Sequence, residues 1–164
     1  MTGSELVGRP GSPGVGIGRV LRVGTAAPAA ARDASTSDPG AQAEVLRTAL
    51  ATAVAELTEL AAGTSARVGE EVGSIFEAQA LFAQDPGIID AAFADVAVGI
   101  PAADAILAST ERQADQLAAV DDDYFRERAA DVRDVGRRIA AIVRGEARPD
   151  LWHADGHPAV IVAF

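Results

Sequence analysis

Between Asp38 and Val143 the apolar positions recur at helical spacing. Leu46, Leu50, Val54, Leu57 and Ala61 fall three or four residues apart, one stripe of a first helix that the pattern ends near Gly63. Asp38-Pro39 supplies its start: the carboxylate can accept from free backbone N–H groups, and proline has no N–H to leave unpaired. Thr64 or Ser65 is the expected cap of a second helix, with Val68, Val72, Ile75, Phe76 and Phe82 on its inner side. Asp85-Pro86 repeats the start signal, so this helix is expected to kink there and continue through Ile89, Phe93 and Val96. Pro101 opens a third helix with a weaker stripe: Ile106, then Ser109 or Thr110, then Gln113 and Leu117. Asp121 or Asp122 opens a last one, striped by Phe125, Ala129, Val132, Val135, Ile139, Ile142 and Val143.

The ends read differently. Val15 and Ile17 alternate with glycines, which predicts a strand over about 15–23, and the chain closes on a second strand candidate in "HPAVIVAF". The expected fold is mainly α: an antiparallel four-helix bundle, its second helix kinked, inserted in a fragment of a small α/β domain. The expected parts are residues 1–35, an N-terminal strand and linker; 36–147, the helical subdomain; and 148–164, a loop and strand. A strand without a turn or polar tail after Phe164 reads as a sheet whose remainder lies further on.

Charge sharpens the picture of the last helix. In "DDDYFRERAADVRDVGRR" the acids lead and the arginines trail, which suits the helix dipole. Arg128–Asp131 and Asp134–Arg137 stand at i,i+3; Asp122–Arg126 and Asp134–Arg138 stand at i,i+4. Each opposite pair is worth about 0.2–0.5 kcal/mol, so the stretch reads first as a solvated helix face. The formal net charge of -10 repels phosphate backbones, which argues against nucleic-acid binding and for a partner with a basic face. The absence of cysteine excludes disulfides, thiolate nucleophiles and zinc-thiolate sites. No run is long enough to span a membrane, and the start lacks a signal-peptide core, so a cytoplasmic location is expected.

Residue chemistry alone yields no catalytic constellation. "GVGIG" lacks the G-x-G-x-x-G opening onto a helix, so its glycines are read as serving a turn and close strand packing. His153 and His157 have a spacing that could ligate a metal on a helix, but "WHADGHP" reads as a loop with no third ligand, and Trp152 as an anchor. Glu70, Glu71 and Glu77 read as charge favoured near a helix start.

Three stretches, in order and at the right spacing, resemble the N-terminal region of Enzyme I, the phosphoenolpyruvate-protein phosphotransferase of the bacterial sugar phosphotransferase system. They are "GSPGVGIGRV", "GEEVGSIFEAQALFAQDP" and, most specific, "DDDYFRERAADVRDVGRR". The resemblance implies an α/β subdomain with a four-helix insertion that docks the phosphocarrier HPr. It implies an HPr-docking face made of Glu70, Glu71, Ile75, Gln79, Phe82 and Asp85 on the second helix, with Leu117, Phe125 and Arg128. Gln79 stands where some members have histidine, and Gly87 where some have an acid. The family's phosphohistidine motif, G-G-x-T-S-H, does not occur in the sequence, and neither His153 nor His157 matches it. The expectation is therefore a docking bundle without its reactive histidine, inactive alone and monomeric. No cofactor is expected in this chain; magnesium and phosphoenolpyruvate are implied for the full-length family. The alternatives are the Enzyme I-like part of a nitrogen-type or dihydroxyacetone-type phosphotransferase, or a non-enzymatic helical adaptor.

Overall fold

The structure, a computed structural model, describes residues 19–23, 38–146 and 159–163. The glycines before Arg19, Trp152 and both histidines lie outside them. Two units separate. In the first, β1 (Arg19–Val23) pairs in parallel with β2 (Ala159–Ala163), Arg19 opposite Ala159 and Val23 opposite Ala163. The helical unit is thus inserted, in sequence, between two paired strands.

The helical unit is the expected bundle, with the second helix broken in two: α1 (Pro39–Arg67), α2 (Glu70–Phe82), α3 (Pro86–Ala97), α4 (Ala102–Ala118) and α5 (Asp123–Val143). The break has a physical cause. Asp85 Oδ1 accepts from Gly87 N at 2.7 Å and Ile88 N at 3.3 Å, and Pro86 takes the first turn. Ala83 still donates to the Gln79 carbonyl, but Gln84 and Asp85 tighten to bonds with Leu81 and Phe82, three residues back, before that cap.

The first helix runs past Gly63, to Arg67. Glycine inside a helix costs about 1 kcal/mol against alanine but does not end it. The Arg67 side chain donates back to the Gly63 carbonyl at 3.0 Å. Thr64 and Ser65 are therefore helical, not caps, and the reversal falls at Gly69, whose φ of 131° lies in a region glycine tolerates.

The core is built from small and medium side chains. Leu46, Leu57, Ile88, Ile106, Val132, Val135 and Ile139 are fully buried among many alanines. Ser109 and Thr110 are buried too, because each hydroxyl finds a carbonyl: Ser109 donates across to Ile88 O of α3 at 3.0 Å, Thr110 to Ile106 O at 2.9 Å. The second helix departs from expectation. Val72 and Ile75 are exposed, as is Val68 in the preceding turn, and the residues α2 buries are Gly73 and Ala80.

The charged ladder of α5 works partly along the helix and partly across it. Arg128–Asp131 closes at 2.8 Å, and Arg137 pairs with Asp134. The other two expected pairs do not form. Asp122 is the N-cap of α5, so Arg126 turns to Asp121 and Asp123. Arg138 reaches Glu56 on α1 at 3.3 Å.

Arg133 crosses to α4, where it meets Glu111 and Asp115 at 2.8 and 2.9 Å. Its hydrogen bond holds the Glu111 carboxyl below the ordinary glutamate value, helped by the Arg133 and Arg137 charges. A carboxylate whose pKa is lower folded than unfolded stabilises the fold above the unfolded value. That contribution is lost as pH falls through the lowered folded value. Both groups face solvent, so the effect on stability is small and screened by salt. The expected result is that Glu111 titrates below the ordinary glutamate value by carboxyl-detected NMR, and that Arg133→Gln moves it back up toward that value.

Candidate docking face

An α-helix turns about 100° per residue, so Glu71, Val72, Ile75, Gln79 and Phe82 share one face of α2. Glu70 points about 100° away from Glu71, and Leu81 falls on the opposite side. Ile75 is 46% exposed and Val72 39%, an apolar patch that nothing in the bundle covers. Gln79 and Phe82 are half-buried, and Phe82 packs on the core with its inner edge. Asp85 is half-buried, with one carboxylate oxygen spent on the α3 cap.

The remaining candidates sit where α4 turns into α5. Leu117 is half-buried and packed on the core near the end of α4. Phe125, in the first turn of α5, is half-buried and meets Tyr124 edge-to-face, ring centroids 5.5 Å apart. Arg128 donates from Nη1 to Asp131 at 2.8 Å and lies 5.0 Å from the centre of the Tyr124 ring. Its Nε is buried without a hydrogen-bond partner among the described residues. The guanidinium is thus held from two sides, a pre-set pose that an exposed arginine lacks.

The structure brings Glu71, Ile75, Gln79 and Phe82 onto one face, and α2 packs on α1 and also touches α5. Two residues of this surface escaped sequence reasoning. Val72 has the spacing of the inner stripe yet stands outside it, and Tyr124, 58% exposed, sits within a charged run. The usable signal was the i,i+4 step from Tyr124 to Arg128, which puts the ring under the guanidinium.

Among the described residues no group of three or more His, Cys, Asp or Glu could hold a metal ion, so the magnesium implied for the full-length family finds no such cluster there. No described helix is long and apolar enough to cross a membrane.

Comparison with known proteins finds similarity to the N-terminal part of phosphoenolpyruvate-utilising enzymes. The family described as "PEP-utilising enzyme, N-terminal" matches residues 7–128. A phosphoenolpyruvate-dependent phosphotransferase system protein of Escherichia coli K12 is 34% identical over 106 residues, covering 65% of this chain and 14% of its own length. Two solved structures align with TM-scores of 0.65 and 27% identity. One is a solution structure of Enzyme I, covering 76% of this chain and 50% of that one. The other is the N-terminal domain of a nitrogen-type Enzyme I, covering 83% and 58%.

Proposed function

This chain belongs to the N-terminal family of phosphoenolpyruvate-utilising enzymes, and from that premise we propose that its bundle docks the phosphocarrier HPr in the cytoplasm, for phosphoryl transfer in sugar uptake. The reading rests above all on the α2 face, where uncovered Val72 and Ile75 lie beside the carboxylate of Glu71. An apolar centre excludes water from a contact, and flanking acids speed encounter with a basic partner. Gln79, Phe82, Leu117, Phe125 and Arg128 extend the contact, with Asp85 and Glu70 at its rim. The bundle's contribution to phosphoryl transfer between two imidazoles is position: it holds the carrier's histidine in line with the partner histidine, the step in which misplacement is most costly.

Titrating HPr into the isotope-labelled protein is the direct test. Amide shifts are expected at Glu71, Ile75, Gln79, Phe82, Phe125 and Arg128, and unmoved α2 and α5 signals would overturn the reading. Because Glu71 lies on the face and Glu70 turns away, Glu71→Lys should weaken binding on the order of tenfold, more than Glu70→Lys does, with the gap shrinking at high salt. A second reading comes from the nitrogen-type structure, which aligns at the same TM-score as the other Enzyme I. Parallel titrations with HPr and with the nitrogen-type carrier separate the two by which binds more tightly.

A further inference from the structure

We propose that α2 is a locally opening segment, detaching and melting while α1, α3, α4 and α5 stay folded. It lies along α1, but its attachment is thin in large buried side chains and in polar ties. The largest fully buried side chains come from α1, α3, α4 and α5, and none from α2. The residues α2 buries are Gly73 and Ala80, which carry little apolar area. Phe76 and Phe82 add partial burial only.

Polar fastening is equally sparse. Among the described residues no ion pair joins Glu70, Glu71 or Glu77 to another helix, whereas α5 is tied to α1 by Arg138–Glu56 and to α4 by Arg133–Glu111. Among the described residues the one side-chain hydrogen bond donated by α2 is internal, Ser74 to the Glu71 carbonyl. The helix starts without a side-chain cap, at Gly69, and ends where Gln84 and Asp85 leave the i,i−4 ladder. Both ends are therefore joints. A 13-residue helix released into water is too short to persist, so detachment means melting and full exposure of its amides. Burying the outer face of α2 against a partner favours the attached form, a consequence that rests on the docking reading.

Native-state amide exchange on the whole chain tests the opening itself. Amides at the centre of α2, around 74–82, are expected to exchange at least tenfold faster than those of α5 around 129–140; equal protection in the two helices would overturn the proposal. Glu77→Gly, at an exposed position, lowers helix propensity in α2 alone. It should speed α2 exchange about threefold and leave α5 unchanged. An equal acceleration of both helices, or none in α2, would mean that α2 opens only with the whole bundle. Adding HPr then bears separately on docking: it should slow α2 exchange, and failure of this arm alone counts against the docking face and not against the opening.

Discussion

Gly136→Val is expected to lower the melting temperature of the helical unit by about 10 °C, a loss of about 3 kcal/mol. Gly136 lies in the middle of α5, where it faces Thr110 of α4. A Cβ at this position would come within 2.1 Å of Thr110 Oγ1, 2.9 Å of its Cβ and 3.0 Å of its Cγ2. Thr110 cannot swing away cheaply. It is buried and its hydroxyl is held by the Ile106 and Leu107 carbonyls at 2.9 and 3.1 Å, so a new rotamer gives up those bonds. The alternative is that α4 and α5 move apart, which opens gaps around Ile106, Val132 and Val135. Replacing a helical glycine normally stabilises by up to about 1 kcal/mol, so overpacking must exceed that gain for the sign to come out destabilising. Thermal melts of Gly136→Val, Gly136→Ala and Gly136→Ala/Thr110→Ala decide the matter. The double variant should recover part of the alanine loss, because it removes the hydroxyl and methyl that the new Cβ meets. A valine variant that melts within 2–3 °C of the parent, about 1 kcal/mol or less, would show that the helices do not meet through this glycine.

The same glycine logic explains which parts of the fold were legible in the sequence. The stripes of α1 and α5 read correctly at Leu46, Leu50, Leu57, Val132, Val135 and Ile139, since large side chains at helical spacing are what the hydrophobic pattern detects. That pattern is blind to contacts made by small residues. Val72 and Ile75 fit a stripe and are nonetheless exposed, because α2 approaches α1 through Gly73 and Ala80. Charge reading failed for a related reason. Spacing reveals partners on one helix, whereas Arg133 and Arg138 found theirs on α4 and α1. Of the candidate face, Glu71, Ile75 and Phe82 come from family resemblance, which gives Glu70 with them; helix geometry sets the two acids about 100° apart, and the exposed Ile75 shows that Glu71 is the one on its face.

Gly73→Val should cost at least tenfold in affinity for HPr while most of the bundle survives. Gly73 is where α2 touches the end of α1: a Cβ there would lie 1.9 Å from Ser65 Oγ, 3.0 Å from Ser65 Cβ and 2.9 Å from the Ala61 carbonyl oxygen. The serine hydroxyl can rotate, but the carbonyl belongs to the backbone of α1 and cannot yield without bending that helix. Relief therefore comes from α2, which holds no fully buried large side chain and is the element most easily displaced. Global melting should fall by only a few degrees, since Leu46, Leu57, Ile106 and Ile139 keep their surroundings, in contrast to Gly136→Val, which separates α4 from α5. The proposed docking face moves with α2, so its alignment with Phe125 and Arg128 is lost, and binding suffers out of proportion to stability. Calorimetric titration with HPr beside a thermal melt separates the outcomes. Undiminished affinity would mean that the carrier does not read α2 and α5 together, whereas a collapse of the whole bundle would mean that α2 is a structural member of the core and not a segment hung on its edge.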